Sequence, residues 1–145
     1  MATPSEKAAT VFSQRFNCSQ SVFSAFAPQF GLDAKTALKL AAPFGGGVAR
    51  RGEICGAVSG ALLAIGLARS AGDPASNVET YRLSQEFLRR FEEAHATLHC
   101  RNLINFDISN PSGYQKAADA GVFVTICPGL VRDAVEIVQA VLEIA

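Results

Sequence analysis

Four cysteines, Cys18, Cys55, Cys100 and Cys127, are the residues of this chain best suited to chemistry. Long stretches separate them, and no two form a Cys-x-x-Cys pair. Neither the thioredoxin-type pattern nor the paired-knuckle zinc pattern applies. Their local settings say more. Cys18 follows Asn17, a good helix cap; Cys55 follows a glycine-rich turn; Cys127 precedes Pro128, a first-turn residue; Cys100 lies three residues after Thr97. Each setting reads as a helix start, where unpaired backbone N–H groups and the helix dipole favour thiolate over thiol. Thiolate is the form that attacks disulfides and ligates metals. Cysteine also packs as a small apolar residue, but four in the same setting point to one shared site.

The turn before Cys55 reads Phe44-Gly45-Gly46-Gly47-Val48-Ala49-Arg50-Arg51-Gly52. Successive glycines permit positive φ and let amides line up as an anion-binding concavity. Gly45, Gly46, Gly47 and Arg50 are therefore candidate cofactor- or anion-binding residues, and Arg50 and Arg51 would favour a nearby thiolate. A tight reversal between packed helices accounts for the same glycines. The phosphate-loop pattern is absent, because no Gly-Lys-Ser/Thr follows. His95 and His99 are four apart; His99 beside Cys100 is a candidate ligand or proton donor, and a surface role suits both. Glu53 is the nearest acid in sequence to Cys55, with a surface role as its plainer reading. Ser59 lacks an elbow motif and reads as packing.

The elements that must position these residues are helical nearly throughout. Hydrophobic residues make up 49% and charged residues 18% of 145 residues, which argues for a folded globule. The spacing of Ala8, Val11, Phe12, Arg15 and Phe16 predicts a first short helix begun by Thr3-Pro4; a second is predicted from Asn17 through Phe26 and a third over Ala34–Ala42 capped by Asp33. A fourth runs from near Cys55 to about Ala71. In it Gly56, Gly60 and Ala64 make a nearly bare face for close packing. A long amphipathic helix follows Gly72-Asp73-Pro74, with Tyr81, Leu83, Phe87, Leu88 and Phe91 inside. Cys100–Ile104 reads as a turn or two of helix and Asn105–Gly113 as a loop. Val122–Ile126 is the one strand-like run, but it lacks a partner strand, so an extended segment or helix end is expected. Cys127-Pro128 opens the last helix, whose buried stripe is Leu130, Val131, Ala134, Val135, Val138 and Val141. The fold class expected is all-α: one four-cysteine domain over residues 1–145, a bundle of five to seven helices.

Thirteen basic residues balance thirteen acidic ones without a basic run, so no nucleic-acid partner is expected. The longest apolar run, Ala57–Ala68, is shorter than the roughly 20 residues a membrane span needs, and no membrane insertion is expected. The first residues do not read as a secretory signal, so a cytoplasmic location is expected. In that compartment four cysteines suit catalysis, redox sensing or metal binding.

Asn17-Cys18-Ser19-Gln20-Ser21-Val22, Phe44-Gly45-Gly46-Gly47, Cys55-Gly56-Ala57-Val58-Ser59-Gly60, Cys100-Arg101-Asn102-Leu103 and Cys127 together resemble a redox-active protein family. That family is marked by four cysteines and a Gly-Cys-Ala-x-x-Gly or Cys-Gly-Ala-x-x-Gly core, the latter being the order here. The resemblance runs from Phe16 to the C-terminus. It implies a prokaryotic, mostly helical protein whose functional residues are Cys18, Cys55, Cys100 and Cys127. It implies no defined reaction.

Three functions stay open at this point. The first is thiol–disulfide exchange or electron transfer by a thiol-dependent oxidoreductase, with Cys55 as the attacking thiolate and an unidentified redox partner. The second is a site in which Cys18, Cys55, Cys100 and Cys127 hold an iron–sulfur cluster or zinc. The third is a helical ligand- or partner-binding module with core cysteines. A homodimer is the expected assembly for so apolar a small chain.

Overall fold

In a computed structural model describing residues 2–145, the chain is all-helical, as the periodicity predicts. The helices are α1 (Pro4–Ser13), α2 (Cys18–Phe26), α3 (Ala34–Ala41), α4 (Gly56–Arg69), α5 (Asn77–His95), α6 (Cys100–Ile104), α7 (Pro111–Asp119), α8 (Val122–Thr125) and α9 (Cys127–Leu142). Seven have eight residues or more, and α6 and α8 are short turns. Among the described residues there is no strand, only an isolated antiparallel bridge between Ile54 and His99.

Side chains at the caps set the helix starts. Thr3 and Glu6 form a capping box at α1, and Asn17 and Gln20 form one at α2 with both bonds at 2.9 Å. Asp33 accepts from the Thr36 amide at 3.0 Å to start α3. Asn110 accepts from the Gly113 amide at 2.8 Å and starts α7 inside the stretch expected to be loop. Val122–Thr125 is helical: Gly121 turns the chain at φ 76, the Thr125 and Ile126 amides bond back to Gly121 and Val122, and there is no neighbouring strand to pair with.

Two hydrophobic clusters result. The larger joins α2, α4, α5 and α9, with Phe26, Phe87, Phe91 and Ile65 wholly buried. Burying each such side chain contributes roughly 1.5–3 kcal/mol. The bare face of α4 lies against α2: a Cβ on Gly60 would stand 2.6 Å from the Ser19 carbonyl oxygen. The predicted stripe of α9 is buried throughout. Tyr81, expected inside, is 62% exposed, so α5 buries a narrower face through Leu83, Phe87 and Phe91. The smaller cluster holds Cys100, Ile104, Ile108, Ala117, Val122 and Cys127. Cys55 belongs to the larger cluster, and Cys18, Phe12 and Ile126 pack against both. The four cysteines sit at the seam.

Candidate functional site

Every cysteine starts a helix. Cys18, Cys100 and Cys127 are the first residues of α2, α6 and α9, and Cys55 immediately precedes α4. Asn17 caps α2 and also donates from Nδ2 to the Ala42 carbonyl at 3.0 Å, while Gln20 Nε2 donates to the Leu38 carbonyl at 3.0 Å. These bonds tie the start of α2 to the end of α3. Ser19 lies beneath Gly56 and Gly60 of α4. The Asn-Cys-Ser-Gln sequence is thus a device for fixing Cys18. The Ile54–His99 bridge fixes two more cysteines: the Cys55 amide donates to the Leu98 carbonyl at 2.8 Å, and the Cys100 amide to the Glu53 carbonyl at 2.7 Å.

The glycine turn holds these parts together. From Gly46 to Arg50 five consecutive residues have positive φ, three of them not glycine: Val48 (64°), Ala49 (49°) and Arg50 (63°). Left-handed backbone costs a non-glycine residue roughly 1–2 kcal/mol. The turn offsets that cost with internal bonds, among them Ala49 amide to Pro43 carbonyl (2.8 Å), Gly52 to Gly46 (3.1 Å) and Glu53 to Gly47 (2.9 Å). The amides from Ala49 to Glu53 are thereby used within the loop. Gly45 has no room for a Cβ beside the Asn17 side chain, and one on Gly47 would stand 2.7 Å from Cys100 Cβ. Gly45, Gly46 and Arg50 line the cavity described next; Gly47 does not, and lies under Cys100 instead.

All four cysteines line one cavity of about 820 Å³. Its walls include Phe12, Phe16, Leu103, Ile108, Tyr114 and Phe123, and its charged residues are Arg15 and Arg50. The thiols are not equivalent. Cys18 and Cys127 act on each other: the neighbouring thiol holds Cys127 below its ordinary value of 9.0 against the effect of burial, and raises Cys18 well above it. Burial pushes Cys55 up to about 11, although the Ala57 and Val58 amides pull it down. Burial, then the neighbouring Cys55 and Cys127 charges, push Cys100 up to about 12. A helix start was expected to favour thiolate at each cysteine and most of all at Cys55; burial outweighs that effect at Cys55 and Cys100, the Cys127 thiol and then burial do so at Cys18, and Cys127 alone is lowered, by its neighbour Cys18. Cys18 is partly exposed and the other three are buried.

The remaining candidates lie away from the thiols. His95 reaches Asp133 of α9 at 3.0 Å and packs at a tilt against Phe91. His99 is exposed, and Glu53 faces Arg51 at 3.5 Å. Ser59 donates to the Gly56 carbonyl within α4. Among the described residues no three His, Cys, Asp or Glu side chains are grouped so as to hold a metal ion. Sequence reasoning missed Arg15, Tyr114 and Phe123. The Arg50 guanidinium lies 4.1 Å above the Tyr114 ring, which stacks on Phe123 at 5.1 Å. Only the bare presence of aromatic residues in the chain hinted at this wall.

A helical bundle that opens four helix starts, each bearing a cysteine, onto one cavity defines a four-cysteine thiol domain. Residues 16–141 match the model of the family described as "Putative redox-active protein (C_GCAxxG_C_C)", and the chain belongs to that family. Neither a curated protein nor a solved structure matches the chain. Among the described residues no helix is long and apolar enough to cross a membrane.

Proposed function

We propose that the chain is a dithiol–disulfide redox protein whose cycling pair is Cys18 and Cys127. The observation that carries this reading is that Cys18 and Cys127 open α2 and α9 onto one cavity and shift each other's ionisation in opposite directions, with Cys127 the one thiol of the four held below 9.0. In the oxidising direction, Cys127 thiolate attacks one sulfur of a substrate disulfide. That bond breaks, a Cys127 mixed disulfide forms, and the leaving sulfur takes a proton. Cys18, once deprotonated, attacks the Cys127 sulfur and expels the second substrate thiol. Two protein thiols have lost two electrons and two protons, and the substrate disulfide has gained them. Cys55 and Cys100 stay protonated through this cycle and add no charge beside the pair. The test is the Cys127→Ser variant: the reaction predicts that it loses disulfide formation on mild oxidation, while Cys55→Ser retains it.

A second reading rests on the facing of all four cysteines onto one cavity. Cys18, Cys55, Cys100 and Cys127 together supply a full thiolate set for zinc or an iron–sulfur cluster, which would add electron transfer or a structural tie. The dithiol stands first because among the described residues no three of these side chains are grouped as metal ligands. Stoichiometric metal in protein purified without oxygen decides for the second reading.

A further inference from the structure

The cavity is electrostatically one-sided. The N-terminal ends of α2, α4 and α9 open onto it through Cys18, Cys55 and Cys127, and none has an acidic residue in its first turn. By contrast α1 and α5 carry Glu6 and Glu79 there. Each uncompensated helix start presents roughly half a positive charge. Arg15 and Arg50 line the same space, and no carboxylate does. Arg51, Arg82, Arg89, Arg90 and Arg132 form ion pairs with Glu or Asp, whereas among the described residues neither Arg15 nor Arg50 has such a partner. Two exposed guanidiniums thus stand unneutralised over an apolar, partly aromatic pocket.

The pocket's shape adds a size limit. Its volume of about 820 Å³ falls within the roughly 300–1,000 Å³ of small-molecule sites. Cys127 is only 7% exposed, so its partner must enter the cavity. A disulfide lying flat on a folded protein's surface does not reach it.

Resting on the Cys18–Cys127 pair proposed above, we infer that the oxidising substrate is a small anionic disulfide with apolar or aromatic flanks. Its anionic groups sit against Arg15 and Arg50, its flanks against Phe12, Tyr114 and Phe123, and its disulfide reaches Cys127. Exchange there yields the Cys18–Cys127 disulfide and two molecules of the small thiol.

The test compares three disulfides on the reduced, unmodified chain: dithiobis(nitrobenzoate) as an aromatic dianion, hydroxyethyl disulfide as a neutral compound and cystamine as a dication. Each rate is divided by that of mercaptoethanol with the same reagent, and the product is mapped by mass spectrometry. The dianion is expected to lead the dication by about 10-fold or more after this correction, an advantage that shrinks in high salt. An Arg15→Gln/Arg50→Gln variant is expected to lose about 10-fold more with the dianion than with the neutral compound. Equal corrected rates, unmoved by salt, overturn the substrate class even if a Cys18–Cys127 disulfide forms. A dianion preference with a different mapped disulfide upholds the substrate class and overturns the pair.

Discussion

Cys18 and Cys127 line one cavity, although the two residues stand more than a hundred positions apart and each is the first residue of its own helix. Their mutual influence separates two thiols that are otherwise alike: Cys127 is drawn toward thiolate and Cys18 is held protonated. At near-neutral pH, iodoacetamide is therefore expected to label Cys127 ahead of the other three. In Cys18→Ala the Cys127 labelling rate at that pH should fall, because the neighbouring thiol that favours its thiolate is gone. Peptide mapping after brief labelling checks both.

Cys55 and Cys100 give the fold an alkaline limit. With folded values of about 11 and about 12 against 9.0, they keep protons that the unfolded chain releases above pH 9. Stability from this source is complete below pH 9 and is lost as pH rises toward 11 to 12, by about 1.4 kcal/mol per pH unit for each thiol. Urea midpoints between pH 8 and pH 10.5 should fall, and Cys55→Ala should make the fall shallower.

The bare face of α4 separates two glycines of one helix. At Gly60 a Cβ would meet Ser19 backbone at 2.6 Å, while at Gly66 it meets nothing within 4 Å. Backbone on both sides cannot yield, so Gly60→Ala is expected to cost about 1–3 kcal/mol despite alanine's better helix propensity. Gly66→Ala should be neutral or gain up to about 1 kcal/mol. Because Ser19 adjoins Cys18, Gly60→Ala should also slow formation of the Cys18–Cys127 disulfide. Denaturant midpoints and oxidation rates separate the two substitutions.

The left-handed turn carries a strain that glycine removes. Ala49 is exposed at φ 49, and Ala49→Gly is expected to stabilise the chain by about 1 kcal/mol, opposite in sign to Ala→Gly in a helix. Thermal or urea unfolding reads the sign directly.

The helix starts were legible because their causes are local. Asn17, Asp33 and the Thr3-Pro4 pair cap as their residue types dictate, and the settings of Cys18, Cys55, Cys100 and Cys127 place each at the start of a helix. The four-residue steps of Gly56, Gly60 and Ala64 likewise foretold close packing, though not that α2 would fill the space. The ranking of the thiols was not legible. Burial of Cys55 and the meeting of Cys18 with Cys127 at one cavity depend on which helices meet, and spacing along the chain carries no such information. Arg15 escaped notice for the same reason, since its place at the cavity depends on how α1 packs. Asn110-Pro111-Ser112-Gly113 has turn composition, and only the bond from the Gly113 amide to Asn110 shows that it begins a helix.

The most direct test of the account is disulfide mapping with a thiol count on protein purified without oxygen and then oxidised with a limiting small disulfide. A Cys18–Cys127 redox pair predicts metal-free protein that loses two thiols, yields a Cys18–Cys127 peptide pair and regains both thiols on reduction. A Cys55–Cys100 pair, or iron or zinc bound stoichiometrically by all four cysteines, would contradict it.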